Sequence, residues 1–95
     1  MEGTVIKQEY DWFDKYNLSV SNIAKHLGLS VPKTRAYMFE IDVWSDPEMY
    51  GEKRINSICF KRYTKKALDA LKKITAQMTI EKVWEKHKNA VMGKR

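Results

Sequence analysis

A mainly α fold with one small β-hairpin is what this 95-residue sequence predicts, from three observations. Leu18 to Met38 carries the caps, turn residues and apolar spacing of two short helices joined at a tight corner. Between Ile41 and Phe60, turn signals separate β-branched and aromatic runs. From Thr64 onward, apolar residues return to helical spacing. In that order the elements make a winged helix-turn-helix, with residues 1–17 as an aromatic segment ahead of it. Residues 18–78 form the winged domain, and residues 79–95 form a C-terminal amphipathic helix.

The elements follow in order. Tyr10, Trp12, Phe13 and Tyr16 read as a short strand or helix packing aromatics on the core, or else as an aromatic surface for a partner. Ser19 is an N-cap, and Val20, Ile23, Ala24 and Leu27 share one face of the first helix. Ala24 is small where a second helix crosses. Gly28 suits a left-handed helix stop, and Leu29 plugs the corner. Ser30 caps the second helix, with Pro32 in its first turn, where the missing N–H loses no helical bond. That helix runs from about Val31 to Phe39 or Glu40. Val31, Thr34, Tyr37 and Met38 point inward; Pro32, Lys33, Arg35 and Ala36 point outward.

Ile41-Asp42-Val43-Trp44 alternates like a half-buried strand, and Ser45-Asp46-Pro47 and Tyr50-Gly51-Glu52 read as turns. Arg54 to Phe60 supplies the second strand, so that Lys53 and Arg54 lie near the tip of the wing. Cys59 sits in an apolar run and reads as a small buried hydrophobe. Thr64 caps a third helix with Ala67, Leu68, Leu71, Ile74 and Met78 on one stripe. Thr79 caps a last helix bearing Ile80, Val83, Trp84, His87 and Val91, which either packs back on its own domain or forms a dimer contact.

Composition narrows the function. The chain has 18 Lys and Arg against 12 Asp and Glu, a net charge of +6 that suits a polyanionic partner. The cations cluster in Leu18–Met38 and again in Gly51–Lys66, with Glu40, Asp42, Asp46 and Glu48 between, which predicts a two-part phosphate-contacting face. One cysteine permits no intrachain disulfide and no thiolate zinc site, and His26 and His87 lack a ligand-spaced partner, so no metal is expected. No cofactor is expected either. No Gly-rich phosphate loop or nucleophile–base pair supports an enzyme. Without a membrane span or a signal-type apolar stretch, the expected compartment is the cytoplasm.

Leu18, Ile23-Ala24-Lys25, Gly28-Leu29-Ser30-Val31, Arg35, Tyr37 and the Arg62-Tyr63-Thr64 entry to a helix with Leu68 and Leu71 carry a family resemblance. The chain resembles the DNA-binding domain of the MerR superfamily, which includes excisionase-like proteins of phages and transposons. The match covers about Leu18 to Ile74, with a longer wing and with Thr34 where a larger apolar residue is usual. No long dimerising coiled coil or effector domain follows, so a bare DNA-binding module is expected rather than a sensor.

The resemblance implies recognition of double-stranded DNA by the second helix. Lys33 and Arg35 would be its principal readers, with Pro32 and Ala36 on the same outward face. Ser30 would meet a phosphate at the helix N-terminus. Tyr37 is assigned equally to the DNA backbone or to the core. Lys53, Arg54, Lys61 and Arg62 would be wing and flank contacts to phosphate. The expected protein is a small transcriptional regulator of a prokaryote or mobile element, with the C-terminal helix as one possible homodimer contact. The alternatives are an excisionase-like architectural factor working beside a recombinase, and a phage small terminase or assembly subunit.

Overall fold

A computed structural model describes residues 11–92 of the protein. Tyr10 and the basic end after Met92 lie outside the described residues. The elements are α1 (Val20–Leu27), α2 (Val31–Ile41), a 3-10 turn (Val43–Ser45), β1 (Tyr50–Ile55), β2 (Ile58–Tyr63), α3 (Lys65–Gln77) and α4 (Ile80–Met92), preceded by a helical segment at residues 11–15. The protein is a winged helix-turn-helix: mainly helical, with a two-stranded antiparallel hairpin between α2 and α3.

Local chemistry fixes the helix-turn-helix. The Asn22 N–H donates to Ser19 Oγ at 3.1 Å and the Ser19 N–H donates to Asn22 Oδ1 at 3.0 Å, a reciprocal cap on α1. At the other end Gly28 takes φ 70°, and the Leu29 N–H donates to the Ala24 carbonyl at 3.0 Å, closing the helix with a left-handed residue. Ser30 caps α2, and Thr34 hides its hydroxyl in a 2.9 Å bond to the Ser30 carbonyl. That bond is why a fully buried threonine serves at a position suited to an apolar residue.

The first strand differs from the sequence expectation. Ile41 is the last residue of α2, Asp42 stops the helix at φ 51°, and Val43–Ser45 turns as a 3-10 helix. A helix end followed by a tight turn buries Val43 and half-buries Ile41 and Trp44, so four residues of alternation could not separate it from a strand. Tyr50–Ile55, in which a turn was expected, is instead β1. Asn56 and Ser57, both at positive φ, form the two-residue corner in the middle of the run read as one strand. Cys59 is exposed, not buried, because it lies near the tip of a hairpin with no third strand.

The hairpin base is stitched to the chain on both sides. Leu18 and Tyr63 exchange backbone bonds of 3.1 and 2.7 Å, and the Thr64 hydroxyl donates to the Glu48 carbonyl at 2.6 Å while capping α3. Ile23, Met38, Val43, Leu71 and Val83 are fully buried at the centre, so all four helices and the 3-10 turn share one core. α4 folds back on its own domain, and its most extensive packing is against α2. Trp84 and Val91, on the same apolar stripe, are half-buried against that core.

Candidate nucleic-acid interface

Residues three and four apart on a helix share a face, so the exposure pattern of α2 defines what it offers to a partner. Pro32, Arg35 and Phe39 form an exposed stripe along its length, with Lys33 exposed on the flank near the N-terminus. Ser30 is exposed at that end, its Oγ accepting the Lys33 N–H at 3.4 Å. Ala36 was expected outward and is fully buried. It lies one turn before Glu40, whose carboxylate meets Lys86 at 3.0 Å and His87 at 2.8 Å. α4 therefore crosses the helix along Ala36 and Glu40 and covers that flank. These contacts, the imidazole first and the Lys86 ammonium second, hold the Glu40 carboxyl below its ordinary value.

Tyr37 belongs to the core and not to the reading face. It is 2 % exposed, and its hydroxyl donates to the Met78 carbonyl at 2.7 Å, tying α2 to the end of α3. Burial raises its phenol.

The pleat of the hairpin divides the wing cations into two sets, because alternate residues point to opposite faces. Glu52 opposes Lys61 and Arg54 opposes Cys59 on the face that begins with Tyr50 and Tyr63. Gly51 opposes Arg62 and Lys53 opposes Phe60 on the other. The first face looks onto the exposed stripe of α2. The second is covered by the N-terminal aromatics: Phe13 meets Phe60 edge-on at 5.3 Å, and Tyr16 lies over Gly51. Trp12, Phe13 and Tyr16 are half-buried there, so this segment packs on the hairpin. Arg62 stays on that side, its guanidinium 5.2 Å from the Phe60 ring centre. Lys61 and Arg54 thus share a side with Arg35, while Lys53 and Arg62 do not.

Between α2 and the first hairpin face runs a groove of about 560 Å³. Phe39, Trp44, Tyr50 and Tyr63 give it aromatic walls, and Ala90 and Val91 of α4 close its far edge. Arg35 and Lys61 bring positive charge to it and Glu52 negative. The Tyr50 hydroxyl donates to Glu52 Oε2 at 2.7 Å, and the Trp44 indole N–H donates to the Tyr63 hydroxyl at 3.2 Å. Burial raises the Tyr63 phenol, partly countered by the Trp44 bond and by the nearby Arg35 charge. Burial and the Glu52 bond raise Tyr50 as well. Both phenols keep their protons at neutral pH. Arg35, Lys33, Arg54 and Lys61 form no ion pair with any described residue.

Sequence reasoning missed the aromatic walls. Tyr63 was legible, since it lies two residues from Lys61 in a strand, and period-two spacing puts both on one face. Phe39 and Trp44 were not, because their exposure to this groove depends on where α2 ends.

The geometry is that of a winged helix-turn-helix domain whose second helix and wing share one cationic, aromatic side. A family model matches residues 14–89, and the chain belongs to that family, described as a domain of unknown function, DUF8610. The matched segment runs from the N-terminal helical segment into α4, so it contains both faces of the hairpin and the α2–α4 contact. No curated protein matches the chain, and no solved structure does. Among the described residues, no helix is long and apolar enough to cross a membrane.

Proposed function

We propose that this protein binds double-stranded DNA in a sequence-specific manner and acts as a small transcriptional regulator of the MerR-like, excisionase-like kind. The observation that carries this reading is the placement of Arg35. It stands exposed in the middle of the second helix of a helix-turn-helix, on the same side as Lys61 and Arg54 of the wing. In this arrangement α2 enters the major groove with Pro32, Arg35 and Lys33 toward the base edges. Ser30 and the first N–H groups of α2 meet a phosphate, and Lys61 and Arg54 lie along the flanking backbone. Lys53 and Arg62 face the N-terminal aromatics and leave the proposed contact set.

A second reading gains from α4. Its apolar stripe packs against α2 and the core of its own chain, which supports a monomeric architectural factor, acting beside a recombinase, over a dimer joined by that stripe.

Selection of a DNA site from a random pool, followed by anisotropy titrations at several salt concentrations, tests both readings. Arg35→Ala is expected to cost about 1–3 kcal/mol on the selected site and little on unrelated DNA. Lys61→Ala is expected to weaken all sequences alike and to lower the salt slope by about one unit. Lys53→Ala is expected to leave both unchanged. Equal effects of Lys53→Ala and Lys61→Ala would overturn the assignment of faces. A single protein per site with bent DNA favours the architectural factor, and two per inverted repeat favours the regulator.

A further inference from the structure

The groove beside Arg35 is built for more than a stretch of DNA backbone. Its walls are aromatic, with Phe39 edge-on to Trp44 at 4.7 Å and Tyr50 tilted on Tyr63 at 5.1 Å, and an inorganic anion would make no use of that apolar surface. It also holds two cations against one carboxylate, Arg35 and Lys61 against Glu52, an imbalance that calls for a single negative charge. Glu52 is already engaged by the Tyr50 hydroxyl. At the floor, Tyr63 is 6 % exposed, and its oxygen accepts the Trp44 N–H while its own proton has no acceptor among the described residues. A buried O–H donor, a guanidinium and an ammonium thus line one groove together with four aromatic rings. The groove, about 560 Å³ and open to solvent along one side, has room for a molecule of one or two rings.

From this we infer that the groove binds a planar aromatic monoacid, its carboxylate held by Arg35, Lys61 and the Tyr63 hydroxyl and its ring stacked among Trp44, Tyr50 and Phe39. Such a ligand takes the guanidinium of Arg35 away from any other partner. On the DNA-binding reading above, the acid is therefore an effector that releases DNA.

The test uses the full chain and three probes: 2-naphthoate, which has ring and charge, 2-naphthalenemethanol, which has the ring alone, and inorganic phosphate, which has the charge alone. Proton–nitrogen NMR follows the Trp44 indole and the Arg35 side-chain signals. Naphthoate is expected to shift both saturably, with a Kd on the order of 1 mM or tighter. The other two probes are expected to bind at least about tenfold more weakly. Arg35→Gln is expected to weaken naphthoate about tenfold or more, and Tyr63→Phe by less. Equal binding of the alcohol, equal binding of phosphate, or no Trp44 shift up to about 10 mM naphthoate overturns the site. In DNA titrations, saturating naphthoate is expected to raise the apparent Kd, and unchanged DNA affinity overturns the effector role. A chain that binds naphthoate but no DNA overturns the DNA reading and leaves the site standing.

Discussion

Two glycines are required here for different physical reasons. Gly28 sits at φ 70° with nothing within 4 Å of where a Cβ would be, so space is free and the backbone alone demands it. Gly51 has no such dihedral, but its Cβ would come within 2.8 Å of the Tyr16 ring. Gly28→Ala is therefore expected to lower stability by about 1 kcal/mol through left-handed strain, with Gly28→Asn costing less. Urea denaturation reads this as a lower midpoint with an unchanged slope. A variant as stable as the parent would show that the corner relaxes out of the left-handed region. The sequence revealed Gly28 because helix stops are local, whereas the reason for Gly51 lies 35 positions away in Tyr16.

At the scale of elements, what was readable divides by range. α1, its corner and α2 were readable because Ser19, Gly28, Ser30 and Pro32 act on their own neighbours. The hairpin was foreseen but misplaced, since Asn56-Ser57 was read as part of a strand and Ile41–Trp44 as a strand in place of a helix end. The covered flank of α2 was unreadable in α2 itself, because the helix that packs most extensively on α2 begins only at Ile80. Ala36→Leu is accordingly expected to lift α4 or strain the contact, at a cost of about 1–3 kcal/mol. In thermal unfolding that is a fall of about 4–8 °C for each kcal/mol. Arg35 stands on the exposed stripe, so Arg35→Leu is expected to leave the melting temperature nearly unmoved. The pair of melts separates a packed flank from an open one.

For the molecule as a whole, closure of α4 over α2 has an electrostatic component. Lys86 and His87 reach Glu40 from α4, and they depress its carboxyl. A depressed carboxyl stabilises the fold above its ordinary value, and this contribution is lost as pH falls through the lowered one. Stability measured from pH 6 downward is expected to drop below about pH 4, and Glu40→Gln is expected to flatten that limb. An identical acid limb in the variant would remove this pair from the account of α4 docking. The covered flank also bears on how much the protein can know. On the DNA-binding reading, α4 leaves only Pro32, Lys33 and Arg35 of α2 to interrogate base edges, and so few side chains distinguish only a handful of base pairs. A genome holds on the order of a million or more competing positions, so an address that short recurs by chance many times over. On that reading, so small a vocabulary would need repetition, by neighbouring copies on clustered sites or by a companion that supplies the rest of the address.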